Sequence, residues 1–216
     1  MNLDLIELVS IAAALSAILM AGSTHLSMNI ALYSLQTFLL SLATYSLAGL
    51  RAESHFIWVA LAIVVLKALG IPLFLHWIMV KIGVNSDPGT TLAPPLAMHC
   101  CVLLMGLSYF LAQSLPSSSL EGHSWANATA AISLLLSGLI LMLTRRIALS
   151  QIIGFLVIEN GIYLFALTQT SGMPLVVEMG VLLDVLVGVM ISGLLVFRIQ
   201  RSFEHIDVTQ LTELRD

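Results

Sequence analysis

Charge is what this chain has least of. Only 9% of its 216 residues are Asp, Glu, Lys or Arg, against 59% apolar, whereas a soluble domain is about a quarter charged. That composition rules against a soluble fold. With eight Lys and Arg in all, there is no basic face for nucleic acid. Cysteine is nearly absent too: Cys100 and Cys101 are adjacent inside an apolar run. No CxxC pair or His/Cys cluster accompanies them, so no metal, iron–sulfur centre or other cofactor is expected, and the thiols read as buried apolar packing. His25, His55, His99 and His123 are scattered without ligand spacing.

Long apolar runs take the place of the missing charge. Seven are long enough to span a bilayer: Leu5–Met20, Ile30–Leu50, Phe56–Met79, Leu92–Leu115, Ala126–Leu143, Ile147–Thr168 and Leu175–Phe197. Turn chemistry separates them at Asn85-Ser86-Asp87-Pro88-Gly89, at Pro116 to Ser119, and at Ser171-Gly172 ahead of Pro174. Trp58, Trp77 and Trp125 sit near span ends, as an aromatic belt requires. Asp4 and Glu7 flank the first run where a signal peptide would carry Lys or Arg, so it reads as a true helix. The fold class expected is all-α, a polytopic transmembrane bundle of about seven helices.

The few positive charges orient it. With seven spans, Lys81, Arg145, Arg146, Arg198, Arg201 and Arg215 share one side, and Arg51 stands alone on the other. By the positive-inside rule the N-terminus lies outside and the C-terminus is cytoplasmic. A weak internal duplication is also visible. A shift of 123 residues lays Ser27–Ala31 on Ser150–Gly154 and Gln36 on Glu159, as if spans one and two were a degenerate copy of five and six.

Three ionisable residues interrupt the spans: Lys67, Glu159 and Asp184. Lys67 is 14 residues from Lys81, Glu159 is 13 from Arg146, and Asp184 is 14 from Arg198. At about 1.5 Å per residue each lies roughly 20 Å from the same face, near mid-bilayer. A charge there costs about 2.5 kcal/mol or more, which makes a functional role the default. Glu159 has Asn160 and Tyr163 beside it as hydrogen-bond donors, with Gly154 and Gly161 to admit a neighbouring helix. Asp184 stands between Gly180 and Gly188. Lys67 precedes Pro72, which cannot donate to the Ala68 carbonyl, so the helix is expected to kink or open there. A proton relay, helix-to-helix bonding, and a salt bridge from Lys67 to either acid all fit these residues.

A family resemblance enters with the segment Thr144-Arg145-Arg146-Ile147-Ala148-Leu149-Ser150-Gln151-Ile152-Ile153-Gly154-Phe155. It resembles the first loop and second helix of the small K-type subunit of bacterial complex I, itself similar to the C subunit of Mrp-type sodium/proton antiporters. Asp184, four residues before Gly188, matches the acid of the third K-type helix, and Arg198, Arg201 and His205-Ile206-Asp207 echo its basic end. The chain departs in having Leu156 where the K-type glutamate stands; Glu159 follows three positions on, on nearly the same helical face.

Four further spans precede this part. With Glu159-Asn160-Gly161 in the sixth span and Lys67 five residues before Pro72 in the third, the whole chain looks like the E-type membrane subunit of hydrogenase-4 complexes. The resemblance implies residues 1–125 as an N-terminal four-helix part, 126–200 as a K-like three-helix part and 201–216 as a cytoplasmic tail. It implies a multi-pass subunit of a bacterial or archaeal inner membrane without a redox active site of its own. Antiporter-like and proximal membrane subunits, membrane lipid, and peripheral [NiFe] and Fe–S subunits would be its partners. Lys67, Glu159 and Asp184 would form a proton path; a structural adaptor bundle and an Mrp-like cation/proton antiporter subunit are the alternatives.

Overall fold

The structure, a computed structural model, describes residues 2–51, 55–87, 89–115 and 124–169, and Gly188. The expected seventh span, Leu175–Phe197, and with it Asp184, lies outside the described residues save for Gly188, as does the tail. Within them the chain is helical: α1 Asn2–Gly22, α2 Leu26–Arg51, α3 His55–Ala62, a π-helical segment Ile63–Gly70, α4 Ile71–Ile82, α5 Pro94–Gln113, α6 Ser124–Thr144 and α7 Ala148–Gln169. Among the described residues, six stretches are long and apolar enough to cross a membrane, with α3, the π segment and α4 forming one continuous span. The protein is a multi-pass membrane protein. Helix α2 begins four residues before the expected Ile30, because Asn29 is still helical and donates its side-chain amide to the Ser23 carbonyl.

Local chemistry sets the helix ends. Gly83 at φ 72° closes α4, donating its N–H back to Met79 and Val80. Pro94 and Pro95 open α5, where no donor is needed. In the third span Pro72 does not produce a sharp break. The helix widens ahead of it into a π turn that contains Lys67, which redirects donors around the missing N–H. The Ala68 carbonyl, which Pro72 cannot serve, accepts from Ser34 Oγ on α2 at 2.6 Å.

Small residues bring the inner helices together. Ala13, Ala14, Ala17 and Ala21 of α1 and Ala130 and Ala131 of α6 are buried in one cluster, and α1 packs on both α2 and α6. Helices α6 and α7 are in backbone contact through glycines. A Cβ on Gly154 would stand 2.8 Å from the Met142 nitrogen, and one on Gly161 would stand 2.8 Å from that of Leu135. The third span and α5 are the flanks, with only 28% and 22% of their residues buried. Trp58, Trp77 and Trp125 are each half-exposed or more.

The loops after α1, α4 and α6 are bonded together on one face. Leu26 N donates to Asn85 O, Asp87 N to Thr24 O, and Thr91 N to Thr144 O. Arg145 departs from its expected place as a loop charge: it is 3% exposed. Its Nη2 donates to the carbonyls of Met20, Ala21 and Ser23 at 2.7–3.1 Å, satisfying the end of α1. Burial pulls this guanidinium below its ordinary pKa and the Asp87 carboxylate opposes that, so it stays protonated.

Gly154→Val should lower stability by about 1–3 kcal/mol through overpacking against backbone. Gly106→Val, where an added Cβ meets nothing within 4 Å, should leave it near wild type. Thermal unfolding of the detergent-solubilised protein checks both.

Candidate functional site

Lys67 and Glu159 meet. Lys67 Nζ stands 2.5 Å from Glu159 Oε1, with side chains 10% and 3% exposed. Of the two partners open to Lys67 in the sequence, the described residues contain Glu159. The π segment presents the lysine, and α7 presents the glutamate, both buried. An ion pair in hydrocarbon avoids the cost of two isolated charges. It also gives two titratable atoms within one proton-transfer distance.

A polar layer built from amides and hydroxyls begins at Asn160, next to Glu159 on α7. Asn160 Nδ2 donates to Gln36 Oε1 at 2.9 Å and to Thr37 Oγ1 at 3.2 Å. Gln36 Nε2 continues to Ser16 Oγ at 3.0 Å and the Ala13 carbonyl at 3.2 Å. Ser16 ends the chain on the same Ala13 carbonyl at 2.6 Å. One turn beyond, Tyr163 OH lies 2.8 Å from Thr44 Oγ1. Thr44 donates its proton to the Leu40 carbonyl, so the tyrosine donates to the threonine. Amides do not titrate, and the Ser16, Thr37 and Thr44 protons end on backbone carbonyls. The layer therefore ties α1, α2 and α7 together beside Glu159.

Lys67, Glu159, Asn160 and Tyr163 stand out in the sequence by residue type and position, and Gln36 only through the internal repeat. Ser34, Thr37, Ser41 and Thr44 were missed there. Their spacing of three and four residues along α2 is a readable polar stripe. Ser41 Oγ, like that of Ser34, reaches the third span, donating to the Ala60 carbonyl at 2.9 Å.

Fold and site together define a polytopic helical membrane protein with a lysine–glutamate pair held inside its bundle. The chain is 36% identical over 175 residues to an uncharacterized protein of Mycobacterium tuberculosis, covering 79% of this chain and 78% of that one. It is 30% identical over 164 residues to hydrogenase-4 component E of Escherichia coli strain K12, covering 76% of this chain and 75% of that protein. The component E of Shigella flexneri matches to the same extent. This chain belongs to the hydrogenase-4 component E family. No family model matches it, and no solved structure does.

Asn160→Ala removes two hydrogen bonds and strands the Gln36 carbonyl oxygen, so it should cost about 1–3 kcal/mol. Tyr163→Phe deletes one bond to a threonine and should cost about 1 kcal/mol. Resistance to unfolding by sodium dodecyl sulfate in mixed micelles would rank the two.

Proposed function

We propose that this protein is a non-catalytic membrane subunit of a complex-I-like, membrane-bound hydrogenase, and that Lys67, Glu159 and Asp184 carry part of its proton path. The observation that carries the reading is the buried Lys67–Glu159 contact at 2.5 Å. Membership in such a complex is supported by the family, whose Escherichia coli and Shigella flexneri members are named as a component of hydrogenase-4. Redox chemistry would belong to peripheral [NiFe] and Fe–S partners, and antiporter-like and proximal membrane subunits would be its neighbours in the bilayer.

Transfer of a proton from Lys67 to Glu159 turns an ion pair into two neutral groups without moving net charge across hydrocarbon. That keeps the step cheap compared with moving a lone ion. Asp184, counted to the same depth, would add a second carboxyl. A cluster of one ammonium and two carboxylates has a net charge of −1 and becomes neutral on taking one proton, which lets it load and unload. The division into residues 1–125 and a K-like part 126–200 belongs to the same reading, as does the likeness to the Mrp C subunit.

Orientation follows from the positive charges, with the bonded loops after α1, α4 and α6 on the cytoplasmic side. A reporter fused after Asp216 should read cytoplasmic and one placed before Leu3 periplasmic; two cytoplasmic ends would contradict the seven-span arrangement. The test of function is proton uptake per electron in the assembled complex. Glu159→Gln and Asp184→Asn keep shape and hydrogen bonding but cannot exchange a proton. Both should still co-purify with the larger membrane subunits, with some loss of thermal stability for Glu159→Gln, and both should lose coupled proton uptake. Wild-type coupling in both variants would leave the charges a purely structural role.

A further inference from the structure

Two hydroxyls of α2 grip the third span. Ser41 Oγ holds the Ala60 carbonyl at 2.9 Å and Ser34 Oγ holds the Ala68 carbonyl at 2.6 Å. The two serines are seven residues apart on α2, about two α-helical turns. The two carbonyls they hold are eight residues apart on the antiparallel third span. An α-helical third span would bring the carbonyl of residue 67 to Ser34. The surplus residue is taken up by the π segment Ile63–Gly70, which begins after the Ala60 grip and contains the Ala68 grip. Inserting one residue into a helix turns the remainder of that helix by about 100°, so the register of this segment decides where the Lys67 side chain points.

We propose that Ser34 is a positioning residue for Lys67: by holding the Ala68 carbonyl that Pro72 cannot serve, it keeps the π register in which the lysine meets Glu159. Its consequence for activity rests on the proton-path reading above, but its consequence for geometry does not. Ser41 makes the same kind of bond to the regular helix α3, three residues ahead of the segment, and serves as the internal control. Loss of Ser41 removes a helix-to-helix bond without freeing the carbonyl that faces Pro72.

The test is infrared difference spectroscopy of the assembled complex. The carboxylate bands of Glu159 are identified by their loss in Glu159→Gln, and the band position without its partner is set by Lys67→Met. Ser34→Ala should move the Glu159 bands toward the Lys67→Met position and reduce proton uptake per electron. Ser34→Thr, which keeps the hydroxyl, should leave both at wild type. Ser41→Ala should lower thermal stability and leave the bands in place.

Unmoved bands in Ser34→Ala would overturn the proposal, and so would an equal shift in Ser41→Ala. Bands that move while coupling stays at wild type would uphold the positioning role and overturn the proton path. If Ser34→Ala fails to assemble, Ser34→Cys, a weaker donor of similar size, takes its place and must give a partial shift; wild-type bands there would count against the proposal.

Discussion

A lysine and a glutamate inside hydrocarbon have one inexpensive arrangement, which is contact. Each alone would cost several kcal/mol of lost hydration, and the pair recovers that only if the geometry is good and the surrounding polar groups are satisfied. Much of the described bundle is arranged around this demand. The widened third span delivers Lys67, the glycine-lined contact of α6 and α7 fixes the helix that bears Glu159, and Asn160 and Gln36 tie that helix to α2.

Packing and polarity divide the work by helix. Helices α1 and α6 contribute alanines and glycine, and so allow close approach where dispersion and backbone contact hold the bundle. Helix α2 contributes hydroxyls and an amide, and bonds outward to α1, the third span and α7. At one face the loops close the assembly through backbone bonds and the buried Arg145. The flanks, α5 and the third span, turn large apolar side chains such as Leu66, Leu73, Leu103 and Phe110 outward.

Much of this was legible in the sequence. Counting residues from basic markers put Lys67 and Glu159 at one depth, and Pro72 marked where the helix would depart from α geometry. Gly154 and Gly161 were recognisable as points of close approach. Other features were hidden for physical reasons. Arg145 reads as a loop charge by position, and only the end of α1 beside it turns it into a buried cap. The α2 hydroxyls look alike by spacing. Yet Thr37 and Thr44 bond back to their own helix, while Ser34 and Ser41 reach across to another. Periodicity cannot separate the two uses, because both place the side chain on the same face.

The central claim is that Lys67 and Glu159 stabilise the bundle as a pair and not as two separate polar groups. A double-mutant cycle with Lys67→Met and Glu159→Gln, read by resistance to unfolding in mixed micelles, tests it most directly. Each single change should cost about 3–5 kcal/mol by breaking a buried ion pair from one side. The double variant should cost far less than the sum, since neither charge remains. Costs that simply add would contradict the account.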